Sequence, residues 1–163
     1  MDAEFAYEVL EKAPYVTVSF IRPDGTAYGV PLSLARGTGD VFYFHCALEG
    51  EKLDCIRHDK RVSLSAVSRC KPTAGPLDGS FTLEYRSAMA KGLCEIVEDR
   101  EEKIEALRLV CERFLPHHMD HFDESIERSL GRTVVVRITL SEPPTGKSKE
   151  YDEEGQEKKW GRK

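Results

Sequence analysis

The chain has 163 residues, 40% hydrophobic and 33% charged, with a formal net charge of −5 at pH 7. That length suits one domain of the common class of roughly 100–150 residues, and the acidic balance disfavours a general nucleic-acid binder, which needs a basic face for phosphates. No apolar run nears the ~20 residues that span a bilayer, Met1–Phe5 has no signal-peptide pattern, and the five cysteines lack C-x-x-C spacing, so a cytoplasmic protein with reduced thiols is expected.

Asp2 is placed to cap a short helix in which Phe5, Val9 and Leu10 share a face and which Pro14 ends. From Tyr15 to Ile21 the period drops to two: Val16, Val18 and Phe20 alternate with Thr17 and Ser19, the pattern of a half-buried strand. Arg22-Pro23-Asp24-Gly25-Thr26 supplies the residues a tight turn demands. A return strand over Ala27–Arg36, a turn at Gly37–Asp40 and a third strand over Val41–Cys46 complete an antiparallel meander. Behind Gly50, the spacing of Leu53 and Ile56 predicts a short helix, and Arg61–Val67 a fourth strand.

Residues 69–80 carry Pro72, Gly75, Pro76 and Gly79 without periodicity and read as a loop. A long strand from Phe81 to about Val97 follows, with Gly92 as its bend point. Asp99 with Glu102 resembles a capping box, opening a helix striped by Ile104, Leu107, Cys111 and Phe114. A second short helix is read at Asp123–Leu130, and a final strand at Thr133–Leu140. The predicted fold is mainly β: about six antiparallel strands closing into a small barrel, with an inserted short helix and a later longer one. One domain is expected over residues 1–147. Residues 148–163 read as a charged tail, disordered or packed on a dimer, with Tyr151 and Trp160 arguing for packing.

Five stretches carry a family resemblance: Gly29-Val30-Pro31-Leu32-Ser33-Leu34, then Val41-Phe42-Tyr43-Phe44-His45-Cys46 through Gly50-Glu51-Lys52-Leu53-Asp54, then Arg61-Val62-Ser63-Leu64, then Glu84-Tyr85-Arg86-Ser87-Ala88 to Gly92, and Glu95-Ile96-Val97-Glu98-Asp99-Arg100-Glu101-Glu102-Lys103. In this order they resemble the FMN-binding split barrels of the pyridoxamine 5′-phosphate oxidase-like superfamily, and in particular its nitroimidazole-resistance branch. The resemblance implies a homodimer with FMN at the subunit interface. It places Val30, Pro31, Leu32 and Ser33 along the isoalloxazine, Phe44, His45 and Lys52 at the phosphate, and Ser87 on a neighbouring strand near the flavin. Arg86 becomes a charge that crosses the interface. The phosphate-oxidase branch has further basic residues near Val30–Ala35 and beside Lys52; here Lys52 alone remains, which argues against pyridoxamine phosphate as substrate and leaves Arg86 or Arg36 to assist.

The implied activity is that of an FMN-dependent oxidoreductase reducing a small electrophile such as a nitroaromatic or a quinone. No G-x-G-x-x-G motif is present, so NAD(P)H would dock only transiently as electron donor. Two alternatives stand beside it: a haem-binding or haem-degrading barrel using His45, and a flavin-binding protein without turnover.

The same residues carry physical readings of their own. Lys52 behind Gly50 pairs an ammonium with the open N–H groups of a helix start, which suits a phosphate; otherwise it is one basic residue on a solvated helix. His45 shares parity with Val41 and Tyr43 and points outward if Phe42 and Phe44 fill the barrel, to touch flavin or substrate, to ligate haem, or to serve structure. Arg86 and Ser87 face opposite sides of one strand. No metal site is expected: Cys111, His117, His118 and His121 lack a carboxylate-histidine motif, and Pro116 breaks their helix. Cys46 faces away from His45, and Trp160 either stacks on a flavin or packs the tail.

Overall fold

A computed structural model describes residues 2–74 and 81–158 of the chain. Helix α1 spans Ala3–Lys12, and the Asp2 carboxylate caps it by accepting the Phe5 N–H at 3.0 Å. Strands β1 (Val16–Ile21) and β2 (Ala27–Leu32) form a hairpin whose turn places Gly25 at φ 83°, a conformation open to glycine. Then come β3 (Ala35–Arg36), β4 (Val41–Cys46), α2 (Glu51–His58), β5 (Arg61–Ala74) and β6 (Phe81–Ile96). Helix α3 (Arg100–Phe114) starts at Asp99, whose side chain accepts the Glu102 N–H at 2.8 Å. A 3₁₀ segment (Pro116–His121), α4 (Phe122–Leu130), β7 (Val134–Leu140) and β8 (Thr145–Lys149) follow.

All pairing is antiparallel, in the order β2-β1-β5-β6-β7-β4-β3, with β8 added to β6. The two ends of that path, β2 and β3, are consecutive in the chain and separated by Ser33 and Leu34 alone. The sheet must therefore roll until its edges meet at that break. Phe20, Phe42, Phe44, Leu64 and Ile138 fill the interior, and α1 closes it with Val9 and Leu10. Each such buried side chain contributes roughly 1.5–3 kcal/mol by leaving water. A smaller core holds α3 and α4 on the outside of the roll, through Ala106, Leu107, Phe122 and Ile126 against Val97 and Val135.

Four expectations need correction. The strand over Ala27–Arg36 is broken: Ser33 and Leu34 leave the ladder, and Leu34 turns fully inward. The loop over residues 69–80 is strand as far as Ala74, because β6 offers a partner throughout, with a register shift between Val67 and Arg69. Pro72 is tolerated there because β5 pairs with β1 only at Ser63–Ser65, so beyond that point it is an edge strand. The remaining loop positions, Gly75, Pro76 and Gly79, lie outside the described residues. The fold is mixed α/β with strands in the majority and not mainly β: the expected helices form as α1 and α4, and a 3₁₀ segment adds to them and to the two principal helices.

The tail is the fourth. β8 crosses the boundary drawn at residue 147, and Glu150 is 2% exposed, held by Arg69 at 2.7 Å and Arg86 at 2.9 Å. Tyr151 and Glu157 then bridge across a turn at Asp152–Gly155. Composition marks this segment as soluble, but pairing to β6 and a buried ion pair order it. Gly92 does sit where β6 changes partner, from β8 at Tyr85–Met89 to β7 at Gly92–Ile96. A Cβ there would stand 2.6 Å from the Thr139 carbonyl oxygen, so close strand contact requires glycine.

Candidate functional site

The break at Ser33–Leu34 creates the most distinctive surface of the molecule. β2 pairs with β1 on one side and, among the described residues, has no strand partner on the other. Its backbone groups along that edge are open to a ligand, and Pro31 is a residue such an edge accepts. Beyond the break, Ala35 pairs with Tyr43 and Arg36 with Phe42. Leu34 and Phe44 both point inward at 0% and 1% exposure, while Ser33, which leaves the ladder, and His45 are both exposed.

Pro31 and Ser33 on one side of the break and His45 at the end of β4 are all exposed. Val30 and Leu32 pack against the core, and Phe44 is buried within it, so these three offer a ligand backbone only. The His45 ring reaches solvent, yet enough protein surrounds it that desolvation lowers its pKa. Burial thus favours the neutral imidazole, whose unprotonated ring nitrogen can accept a hydrogen bond or ligate a metal.

Lys52 is partly exposed in the first turn of α2, just past the end of β4. Burial raises the Cys46 thiol, and the nearby Lys52 ammonium pulls it back down, which places that charge at the end of β4. Gly50 precedes the helix at φ 140° and has no side chain to cap it; the Leu53 N–H bonds the Gly50 carbonyl at 2.9 Å, and the N–H groups of Glu51 and Lys52 precede that bond in the first turn. Glu51 is engaged by Arg22 at 2.5 Å, and the Arg22 guanidinium also lies 4.7 Å from the Tyr28 ring centre. Glu51 thus already matches the Arg22 charge, and the Pro23-Asp24-Gly25 turn is the one local sequence signal beside Arg22.

Arg86 and Ser87 stand elsewhere. Ser87 pairs with Val67 on β5 and gives its hydroxyl to the Lys147 carbonyl at 3.3 Å. From β2 to β6 is three strand steps through β1 and β5, roughly 14 Å of sheet at ~4.8 Å a step. Arg86 faces the opposite way, toward α1, and is engaged by Glu150 and, at 3.9 Å, Glu8. Within one chain its charge closes an ion pair with Glu150. Arg36 likewise lies away from Lys52, 3.7 Å over the Tyr7 ring. On the outer face, Thr17, Ser63 and Ser65 with exposed Val67, Met89 and Leu93 form a flat surface of small and apolar side chains.

Beside His45 on that side, Tyr43 donates to Glu102 at 3.0 Å, and Arg137 joins Glu102 to Glu95. Carboxylates already match the cations of this network, so it ties α3 to the sheet and offers no seat for an anion. Among the described residues no three His, Cys, Asp or Glu side chains group as metal ligands, and no helix is long and apolar enough to cross a membrane. Trp160 lies outside the described residues.

A rolled antiparallel sheet open at one broken strand, with a helix inserted after β4, defines the class: a split barrel. Over residues 2–146 the chain matches the pyridoxamine 5′-phosphate oxidase family, and it belongs to that family. Two solved structures share the fold. A candidate 5-nitroimidazole antibiotic resistance protein of Bacteroides thetaiotaomicron aligns with a TM-score of 0.75 at 22% identity, over 89% of this chain and 82% of that one. A Mycobacterium smegmatis protein that binds FAD and haem aligns at 0.74 and 20% identity, over 90% and 71%. A curated relative, UvrABC system protein C of Helicobacter pylori, is 31% identical over 101 residues, which are 61% of this chain. The chain spans only 16% of that relative's length.

Proposed function

We propose that the chain binds FMN along the seam between β2 and β4, and that two copies enclose it. The observation that carries this reading is the open β2 edge that ends at Ser33, together with His45 at the end of β4 and Lys52 at the start of α2. A flat heterocycle with a hydrogen-bonding rim needs backbone donors and acceptors in a row, and the β2 edge supplies them. A phosphate needs an ammonium and converging N–H groups, and the start of α2 supplies both. When bound, the flavin supplies electron transfer to a substrate. The protein holds the ring, excludes water and presents the His45 imidazole to the ligand.

The second copy is part of the proposal because one chain offers only one wall. The flat outer face with Val67, Met89 and Leu93 can meet a partner, and the strand distance between Ser33 and Ser87 means one small contact cannot touch both in a single chain. The substrate is a small electrophile, a nitroaromatic or quinone, reduced with NAD(P)H as transient donor. The fold shared with a candidate nitroimidazole-resistance protein supports the nitroaromatic choice by analogy. A cytoplasmic setting suits a protein with free, partly exposed thiols.

One observation favours a second reading. His45 faces outward and burial favours its neutral form, as an axial haem ligand requires, and the Mycobacterium smegmatis relative binds haem as well as FAD. An absorption spectrum of the protein purified with its native cofactor separates the two. Flavin bands support FMN; a Soret band lost in His45→Ala supports haem; neither band, even after reconstitution with each cofactor, removes both.

A further inference from the structure

The last turn of α3 places Arg113 in an unusual setting. Its guanidinium donates to the carbonyls of Leu34, Ala13 (2.7 Å) and Leu10 (3.3 Å). No carboxylate lies within 4.0 Å of it among the described residues, although Glu11 is near enough to favour its charge, and desolvation lowers its pKa. A half-buried cation held mainly by carbonyl dipoles, with the Phe114 ring centre 4.7 Å away, is a costly choice where a leucine would fill the space. Two of the carbonyls belong to the end of α1, which leaves such groups without helical partners. The third is at the break in the sheet.

We propose that Arg113 is a positioning residue for the seam, holding the Ser33–Leu34 break in the shape that buries Leu34 and turns Ser33 outward at the end of β2. This inference rests on the reading of the seam as a ligand site. The Leu34 carbonyl shares a rigid peptide plane with the Ala35 N–H, and Ala35 is where pairing with β4 resumes. Fixing that plane turns the Leu34 side chain into the core and leaves Ser33 outward. Arg113 also ties the break to α1, so three elements that are distant in the chain meet at one guanidinium. A mobile break would let the end of β2 swing, and a ligand would have to pay the ordering cost on binding.

The test uses full-length Arg113→Met and Arg113→Lys, held well below their melting temperatures. Three signals are read: FMN affinity by fluorescence quenching, visible circular dichroism of bound FMN, and backbone hydrogen exchange. Arg113→Met should weaken FMN at least tenfold, change the flavin dichroism, and speed exchange at residues 32–36 while β1 stays protected. Arg113→Lys should recover part of each signal. Unchanged affinity, dichroism and local exchange in a merely less stable Arg113→Met protein would overturn the proposal. Should the wild-type chain bind no FMN, the flavin reading falls by itself and exchange decides: acceleration confined to residues 32–36 upholds the role of Arg113, and uniform or absent acceleration overturns it. If Arg113→Met does not fold, Arg113→Gln takes its place in the same comparison.

Discussion

Replacing Glu150 by alanine should destabilise the chain by about 3 kcal/mol, the low end of the cost of stripping one partner from a buried ion pair. The Glu150 carboxylate is nearly inaccessible and receives Arg69 at 2.7 Å and Arg86 at 2.9 Å. Without it the two guanidinium groups face each other across a cavity. Arg69 can relax toward water, being about half exposed (47%), but Arg86 is 20% exposed, with Glu8 at 3.9 Å. This asymmetry sets the estimate at the low end. Glu150→Gln keeps the shape and some hydrogen bonding, so about half that loss is expected. A chain ended after Gly146 loses most of β8 as well and should be the least stable of the three. Urea unfolding at pH 7 measures the series; losses within 0.5 kcal/mol of zero would mean the tail is not part of the fold.

Replacing Lys52 by alanine should weaken FMN roughly 10- to 100-fold, the equivalent of one charge-assisted hydrogen bond of about 1.5–3 kcal/mol. The ammonium lies beside Cys46 at the end of β4, next to the uncapped first turn of α2, and a phosphate seated there would meet both. The loss should shrink as ionic strength rises, because a partly exposed charge is screened. Lys91, 75% exposed and paired with Glu142 at 3.3 Å, is the control, and Lys91→Ala should leave affinity within about twofold. Calorimetric titration at two salt concentrations reads both variants. Equal affinity for wild type and Lys52→Ala would take the phosphate away from α2.

Much of this molecule could be read from local pattern because local physics produces it. The period of two in Val16–Ile21 and Val134–Leu140, and the caps at Asp2 and Asp99, each bring their signal within a few residues. What escaped the sequence depends on distant partners. Strand β8 has no alternation of its own and exists because Tyr85–Met89 offers it an edge. The break at Ser33–Leu34 is held by Arg113, 79 residues away, and nothing around Arg113 announces that duty. The candidate site divides in the same way. The outward face of His45 follows from strand parity, and the place of Lys52 in a helix's first turn follows from the glycine before it, whereas the pairing of Arg86 with Glu150 has no local signal because Glu150 sits in a segment whose composition suggests solvent.

The central claim is that FMN is bound between two copies of this chain, and sedimentation velocity followed at a flavin wavelength tests it most directly. With FMN at saturation, the flavin absorbance should travel with a species of two chains of 18.4 kDa each. Flavin travelling with a single chain, or remaining unbound at the meniscus while the protein sediments, would contradict the account.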